Sequence, residues 1–170
     1  KQQATYNIFG YIEGNDPKLK NEYIVIGAHY DHLGFGGPSS RSTSKKALIH
    51  NGADDNASGV AGILELAQYF KNNPTNRSIL VVAFSAEEMG LLGSAYFVKN
   101  LPIPKESIIS MINFDMIGRM KEDFTVFGYA SAKNFEKLID SITALQTLKV
   151  VKASDAYGPS DHSSFYAEKI

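Results

Sequence analysis

Cysteine is absent from all 170 residues, which removes disulfides, thiolate ligands and a cysteine nucleophile at once. Any metal must therefore be held by His, Asp and Glu. Neither sign of charge is in excess: 17 Lys and Arg against 18 Asp and Glu leave a formal net charge of −1. No electrostatic case exists for nucleic acid or an anionic membrane. No stretch approaches about 18 apolar residues, so no membrane span is expected. Internal repeats and low-complexity tracts are missing as well. Lys1-Gln2-Gln3 does not resemble a signal peptide, and a first residue other than Met suggests a processed or trimmed chain. What remains is an ordinary globular composition, 44% hydrophobic and 21% charged, long enough for one domain with a proper core.

Several short apolar runs stand out against that background. Ser78–Phe84 (SILVVAF) has strand length and no polar face, as in the middle of a parallel sheet covered on both sides. It ends in Ser85-Ala86-Glu87-Glu88, where the pattern turns helical. Residues 23–28 (YIVIGA) close on His29-Tyr30-Asp31-His32, and residues 107–114 (SIISMINF) on Asp115. Residues 4–14, 124–129 and 149–152 read as further strands, and 34–51 as a long surface loop. Helical spacing of Val60, Ile63, Leu64, Ala67 and Phe70 follows Gly52–Gly59, stopped by Asn72-Asn73-Pro74. Gly59 and Gly62 within it permit close approach to a sheet. A second helix is expected after residue 88, with Met89, Leu92 and Tyr96 on one stripe. A third spans 132–145, with Phe135, Leu138, Ile139 and Ile142 facing inward. A last helix opens at Ser160-Asp161-His162. This alternation predicts an α/β three-layer sandwich with a mostly parallel central sheet.

Ligands in open α/β sheets bind outside the carboxyl ends of the strands. Polar residues gather at that location four times: His29 with Asp31, Glu87 with Glu88, Asp115, and Asp54 with Asp55 at a helix start. Singly, each has an ordinary explanation. Glu87 and Glu88 suit the first turn of a helix, Asp55 or Asn56 an N-cap, and a lone His a hydrogen-bonding strand end. Together they are harder to explain, because buried carboxylates repel one another unless a cation intervenes. With His and carboxylate donors alone, Zn²⁺ is expected first, then Mn²⁺ or Co²⁺. A pair of ions needs a bridging carboxylate and a base that is not a ligand. The two adjacent glutamates suit that division, one on metal and one free to carry a proton.

GAHYDHLG, NGADDNASG, FSAEEMGLLGS and MINFDMIGR resemble, in order, the successive motifs of the zinc aminopeptidase family. That family includes bacterial leucyl aminopeptidases, glutamate carboxypeptidase and, more distantly, glutaminyl cyclases. The resemblance runs from about Thr5 to the last residue. It implies a phosphorylase/hydrolase-like fold and an exopeptidase, most simply an aminopeptidase with two zinc ions acting on a peptide or small aminoacyl substrate. By the same resemblance His29 is a ligand of one zinc and Asp31 orients its ring. Asp54 is the bridging aspartate, with a cis peptide at Asp54–Asp55. Glu87 is the general base, Glu88 a ligand of the second zinc, and Asp115 the other ligand of the first. Asp161 and His162 stand behind the ligands or on the substrate side. A last histidine ligand follows a further strand in the family, so the resemblance implies that residues 1–170 form a single catalytic domain lacking its C-terminal strand and helix. His162 or water would fill that position. A glutaminyl cyclase with one zinc and an inactive interaction domain are the rival readings, and an extracellular or periplasmic location is the family expectation.

Overall fold

In the computed structural model, which describes residues 4–36, 40, 42, 46–120, 123–145 and 149–170, the apolar runs become strands. β1 is Ile8–Ile12, β2 Tyr23–His29, β3 Ser78–Phe84 and β4 Ile108–Asn113. They form one sheet in the order β1-β3-β2-β4. β2 lies parallel to β3 and to β4, while β1 runs antiparallel along the other side of β3. The strand with no polar face is thus internal, as its composition requires. β5 (Asp123–Phe127) and β6 (Lys149–Ala153) pair in parallel as a separate two-stranded sheet. Parts of the expected 34–51 loop, residues 37–39, 41 and 43–45, lie outside the described residues.

Alternation along β3 divides the core between two faces. Leu80, Val82 and Phe84 point to the side where Phe97, Val98 and Phe165 close the main cluster. Phe84, Phe97 and Phe165 meet edge-on or tilted, with centroids 5.8 to 6.2 Å apart. Phe97 and Val98 belong to α2 (Leu92–Lys99) and Phe165 to α4 (His162–Ala167). The opposite face of the sheet packs on α1 (Gly59–Asn72), whose Ile63 is buried. Truncating one such buried Phe costs about 3–5 kcal/mol.

The structure gives two helix faces their direction, and one of them differs from the sequence reading. On and just before α2 the stripe of Met89, Leu92 and Tyr96 is exposed, while Gly93, Ser94, Phe97 and Val98 are buried. The cause is a close approach. A Cβ on Gly93 would collide with the Ser85 carbonyl oxygen, so the helix rests its glycine on the exit of β3 while Phe97 and Val98 enter the core. α3 (Phe135–Thr143) keeps its amphipathic pattern, yet Leu138 and Ile142 remain exposed. Its partner β6, reached by the Lys152–Asp140 ion pair, belongs to a sheet of two mostly exposed strands. Two such strands offer no broad apolar surface to cover.

Candidate metal centre

Because β2, β3 and β4 run the same way, their carboxyl ends share one edge, with His29 registered on Phe84 and Gly27 on Asn113. His29 ends β2, and Glu87 and Asp115 lie just past β3 and β4. Ala86 (φ 54) and Met116 (φ 53) are left-handed although neither is glycine. They turn the chain sharply beside Glu87 and Asp115, and such conformations gather at functional sites.

Asp31 fastens this edge together. Its Oδ1 accepts the Glu87 backbone N–H at 3.0 Å and its Oδ2 that of Glu88 at 3.2 Å. His29 Nδ1 lies 3.1 Å from the Asp31 carbonyl oxygen and 3.7 Å from its Oδ1. With Nδ1–H donated there, Nε2 points into the site and offers its lone pair once a cation displaces its proton. Nε2 faces Asp55 Oδ1 at 3.2 Å, Asp115 Oδ1 at 3.5 Å and Glu87 Oε2 at 3.9 Å. A second gathering adjoins the first, with His32 Nδ1 2.7 Å from Glu88 Oε1 and 3.9 Å from Asp55 Oδ2. The donor atoms of His29, Glu87 and Asp115 lie within 4.8 Å of one another, as do those of His32, Asp55 and Glu88. Asp55 turns one oxygen to each histidine.

Electrostatics at this edge favour an added cation. Burial opposes a charge on His29, but the Asp115, Asp31 and Glu87 carboxylates outweigh it and push the imidazole up to about 11. Burial likewise resists ionisation of Asp31 and Asp115. His29 overcomes it, aided by the backbone donors at Asp31 and by Ser160 at Asp115, and both stay below the usual carboxylate range. Glu87 goes the other way. Burial pushes it up to about 7, against the pull of His29 and with the Asp161, Asp115 and Glu88 charges adding to the rise. Among the described residues His32 Nδ1, Glu88 Oε1 and Asp115 Oδ1 are buried without a hydrogen-bond partner. Orphaned donor atoms of this kind, all imidazole or carboxylate, fit a metal such as zinc.

The aspartate that faces both histidines is one residue later than the Asp54 expected to bridge. Asp54 Oδ1 accepts the Gly118 N–H at 2.9 Å and the Ser58 hydroxyl at 3.4 Å, so it pins the 116–118 loop. Asp55, not Asp54, stands between the histidines, and the cis peptide joins Asp55 to Asn56. Adjacent aspartates in a glycine-flanked turn give no periodicity to choose between them. Asn56 is a further residue whose part was not legible. Its Nδ2 donates to the Phe114 carbonyl at 2.9 Å, and its Oδ1 accepts from Gly59 at 3.0 Å and Met116 at 3.2 Å. It ties the bend at 53–58 to the exit of β4. His32 was also passed over, since strand alternation stops at His29.

Asp161 and His162 do not join either group. Asp161 is fully buried, and burial pushes it up to about 6. His162 stacks on Phe127 with ring centroids 6.0 Å apart, and burial lowers its pKa. A pocket of about 490 Å³ opens beside the donors, lined by His32, Asp54, Asp55, Gly118 and Arg119 among others. No helix among the described residues is long and apolar enough to cross a membrane.

Comparison with known proteins places these features. The sequence pattern of Peptidase family M28 matches residues 7–170. Aminopeptidase YwaD of Bacillus subtilis is 36% identical over 118 residues, 68% of this chain and 22% of that protein. The zinc aminopeptidase BSAP from Bacillus subtilis superimposes with a TM-score of 0.74 at 27% identity, covering 96% of this chain and 38% of its own. A glutaminyl cyclase from Porphyromonas gingivalis gives a TM-score of 0.73 at 22% identity, covering 95% of this chain and 59% of its own. That likeness shows the fold alone. The chain thus spans less than two thirds of the length of each of these proteins.

Proposed function

Because the chain belongs to peptidase family M28, we propose that it forms the catalytic domain of a zinc-dependent exopeptidase, an aminopeptidase that removes N-terminal residues from peptides. The observation that carries this reading is the meeting of two donor groups at Asp55, with Glu87 beside them. His29 and Asp115 would hold one zinc and Glu88 the other, with Asp55 shared. Zinc in such a site lowers the pKa of water and polarises the scissile carbonyl.

The remaining chemistry belongs to the protein. Glu87 takes a proton from the attacking water and delivers it to the leaving amine. Its carboxyl lies beside both donor groups without being needed to complete either, the position a proton carrier requires. Asp31 holds the Glu87 and Glu88 backbone in place and directs the His29 ring. The pocket beside Asp55 has room for the substrate's first residue. An extracellular or periplasmic location is part of the same proposal, taken from the family resemblance.

The test is hydrolysis of a panel of aminoacyl anilides by the wild type and by Glu87→Gln. Turnover by the wild type, reduced by about 10²–10⁴-fold in the variant at unchanged zinc content, is expected. Undiminished turnover by Glu87→Gln would overturn the assignment of the base.

A further inference from the structure

We infer that Arg119 sets the substrate preference of the site, by receiving the side-chain carboxylate of an N-terminal glutamate or aspartate. This deepens the aminopeptidase reading above and rests on it. In the lining of the pocket of about 490 Å³ beside Asp55, Arg119 alone is a permanent cation. An arginine that braces a fold is spent on an acceptor, as Arg77 is on Glu22 at 2.7 Å. Arg119 is exposed and has neither an ion pair nor a hydrogen bond among the described residues, although two carboxylates share its pocket. Those carboxylates are committed elsewhere. Asp54 Oδ1 accepts the Gly118 N–H at 2.9 Å, and Asp55 turns its oxygens to His29 and His32 at 3.2 and 3.9 Å. The guanidinium is left with its N–H donors free for an incoming acceptor.

The backbone that delivers this side chain is fixed. Met116 donates its N–H to Asn56 Oδ1 at 3.2 Å, Ile117 to Ser58 Oγ at 3.1 Å, and Gly118 to Asp54. Consecutive donors tied to one turn hold the chain flat against residues 54–58, where a Cβ on Gly118 would meet Ser58 Cβ at 2.8 Å. Arg119 thus leaves a braced loop at the pocket wall, which lowers the cost of ordering it on a ligand. A carboxylate is the ligand that fits. The planar guanidinium matches it with two parallel hydrogen bonds. The acids of the pocket suit the free amine of an N-terminal residue and Arg119 suits an acidic side chain, whereas a lysine side chain there would set like charges together.

The test follows the arginine Nε–H signals of ¹⁵N-labelled, zinc-loaded protein by NMR while glutamic acid α-amide or glutamine α-amide is added. Glutamic acid α-amide should shift Arg119 and leave Arg77, already held by Glu22, unmoved. It should bind about 10-fold more tightly than its neutral isostere. Arg119→Gln should abolish that difference, and Arg119→Glu should turn the preference towards lysine amide. The ratio of kcat/KM for glutamyl and glutaminyl anilides should follow the binding ratio. An unmoved Arg119 signal, or equal affinity for the two amides, would overturn the assignment. So would a preference for alanyl-alanine over its C-terminal amide with none between glutamic acid and glutamine, since the carboxylate read would then be the peptide's own terminus. Protein that binds as expected but hydrolyses no anilide would fault the aminopeptidase reading and leave the carboxylate site at Arg119 standing.

Discussion

The Asp31 carboxylate accepts the backbone N–H of Glu87 at 3.0 Å, across a gap of 56 residues in sequence. Through its other oxygen it holds Glu88 as well, while its own carbonyl receives the His29 ring. One side chain thus sets the position of a prospective base and the tautomer of a prospective ligand. Such an arrangement ties the loop after β2 to the loop after β3.

Replacing that carboxylate separates its two duties. Asp31→Asn keeps one acceptor oxygen but turns an amide N–H₂ towards the second backbone donor. A loss of about 1–3 kcal/mol in stability is expected from that unsatisfied pair, together with about 10–100-fold in metal affinity or turnover. Urea unfolding and zinc titration of the variant measure both. Wild-type values in each would show that Asp31 positions nothing.

Metal-free protein should lose stability as pH rises from about 4 to about 7. Glu87 is raised to about 7 and Asp161 to about 6, so over this range the folded chain binds protons that the unfolded chain has released. The contribution is complete below the unfolded values, near 4, and gone above about 7. His29, raised to about 11, continues the trend at higher pH. Asp31 and Asp115, held low, act in the opposite sense only below about pH 4. Glu87 alone accounts for at most about 3 kcal/mol of the slope, at about 1.4 kcal/mol per unit. Urea unfolding in EDTA between pH 4.5 and 8 should show the fall, and Glu87→Gln should make it shallower, leaving the Asp161 part. Stability rising between pH 5 and 7 would contradict the assignment.

How much of this was legible beforehand varies with the kind of signal. Ser78–Phe84 reads as an internal strand because β-branched and apolar residues fill both its faces, and the sheet places it there. His29, Glu87, Glu88 and Asp115 stand out because strand ends are visible in sequence and parallel strands bring those ends together. Gly93 is different. Helical spacing groups Leu92 and Tyr96 on one stripe without giving its direction, and only the closeness of the Ser85 carbonyl reveals that the glycine faces the sheet. Asp54 and Asp55 could not be told apart for a related reason. Residues in a turn point where the local backbone sends them, and no period records the direction. His32, lying past the last alternating residue of β2, is hidden in the same way.

The account turns on Asp55 as the residue shared by the two donor groups, and zinc content measures that directly. Asp54→Ala and Asp55→Ala are each loaded with zinc, dialysed and analysed for metal per chain beside the wild type. The account predicts two zinc ions per chain in the wild type and in Asp54→Ala, and weakened or lost binding at both sites in Asp55→Ala. Full zinc in Asp55→Ala, with loss in Asp54→Ala, would contradict it.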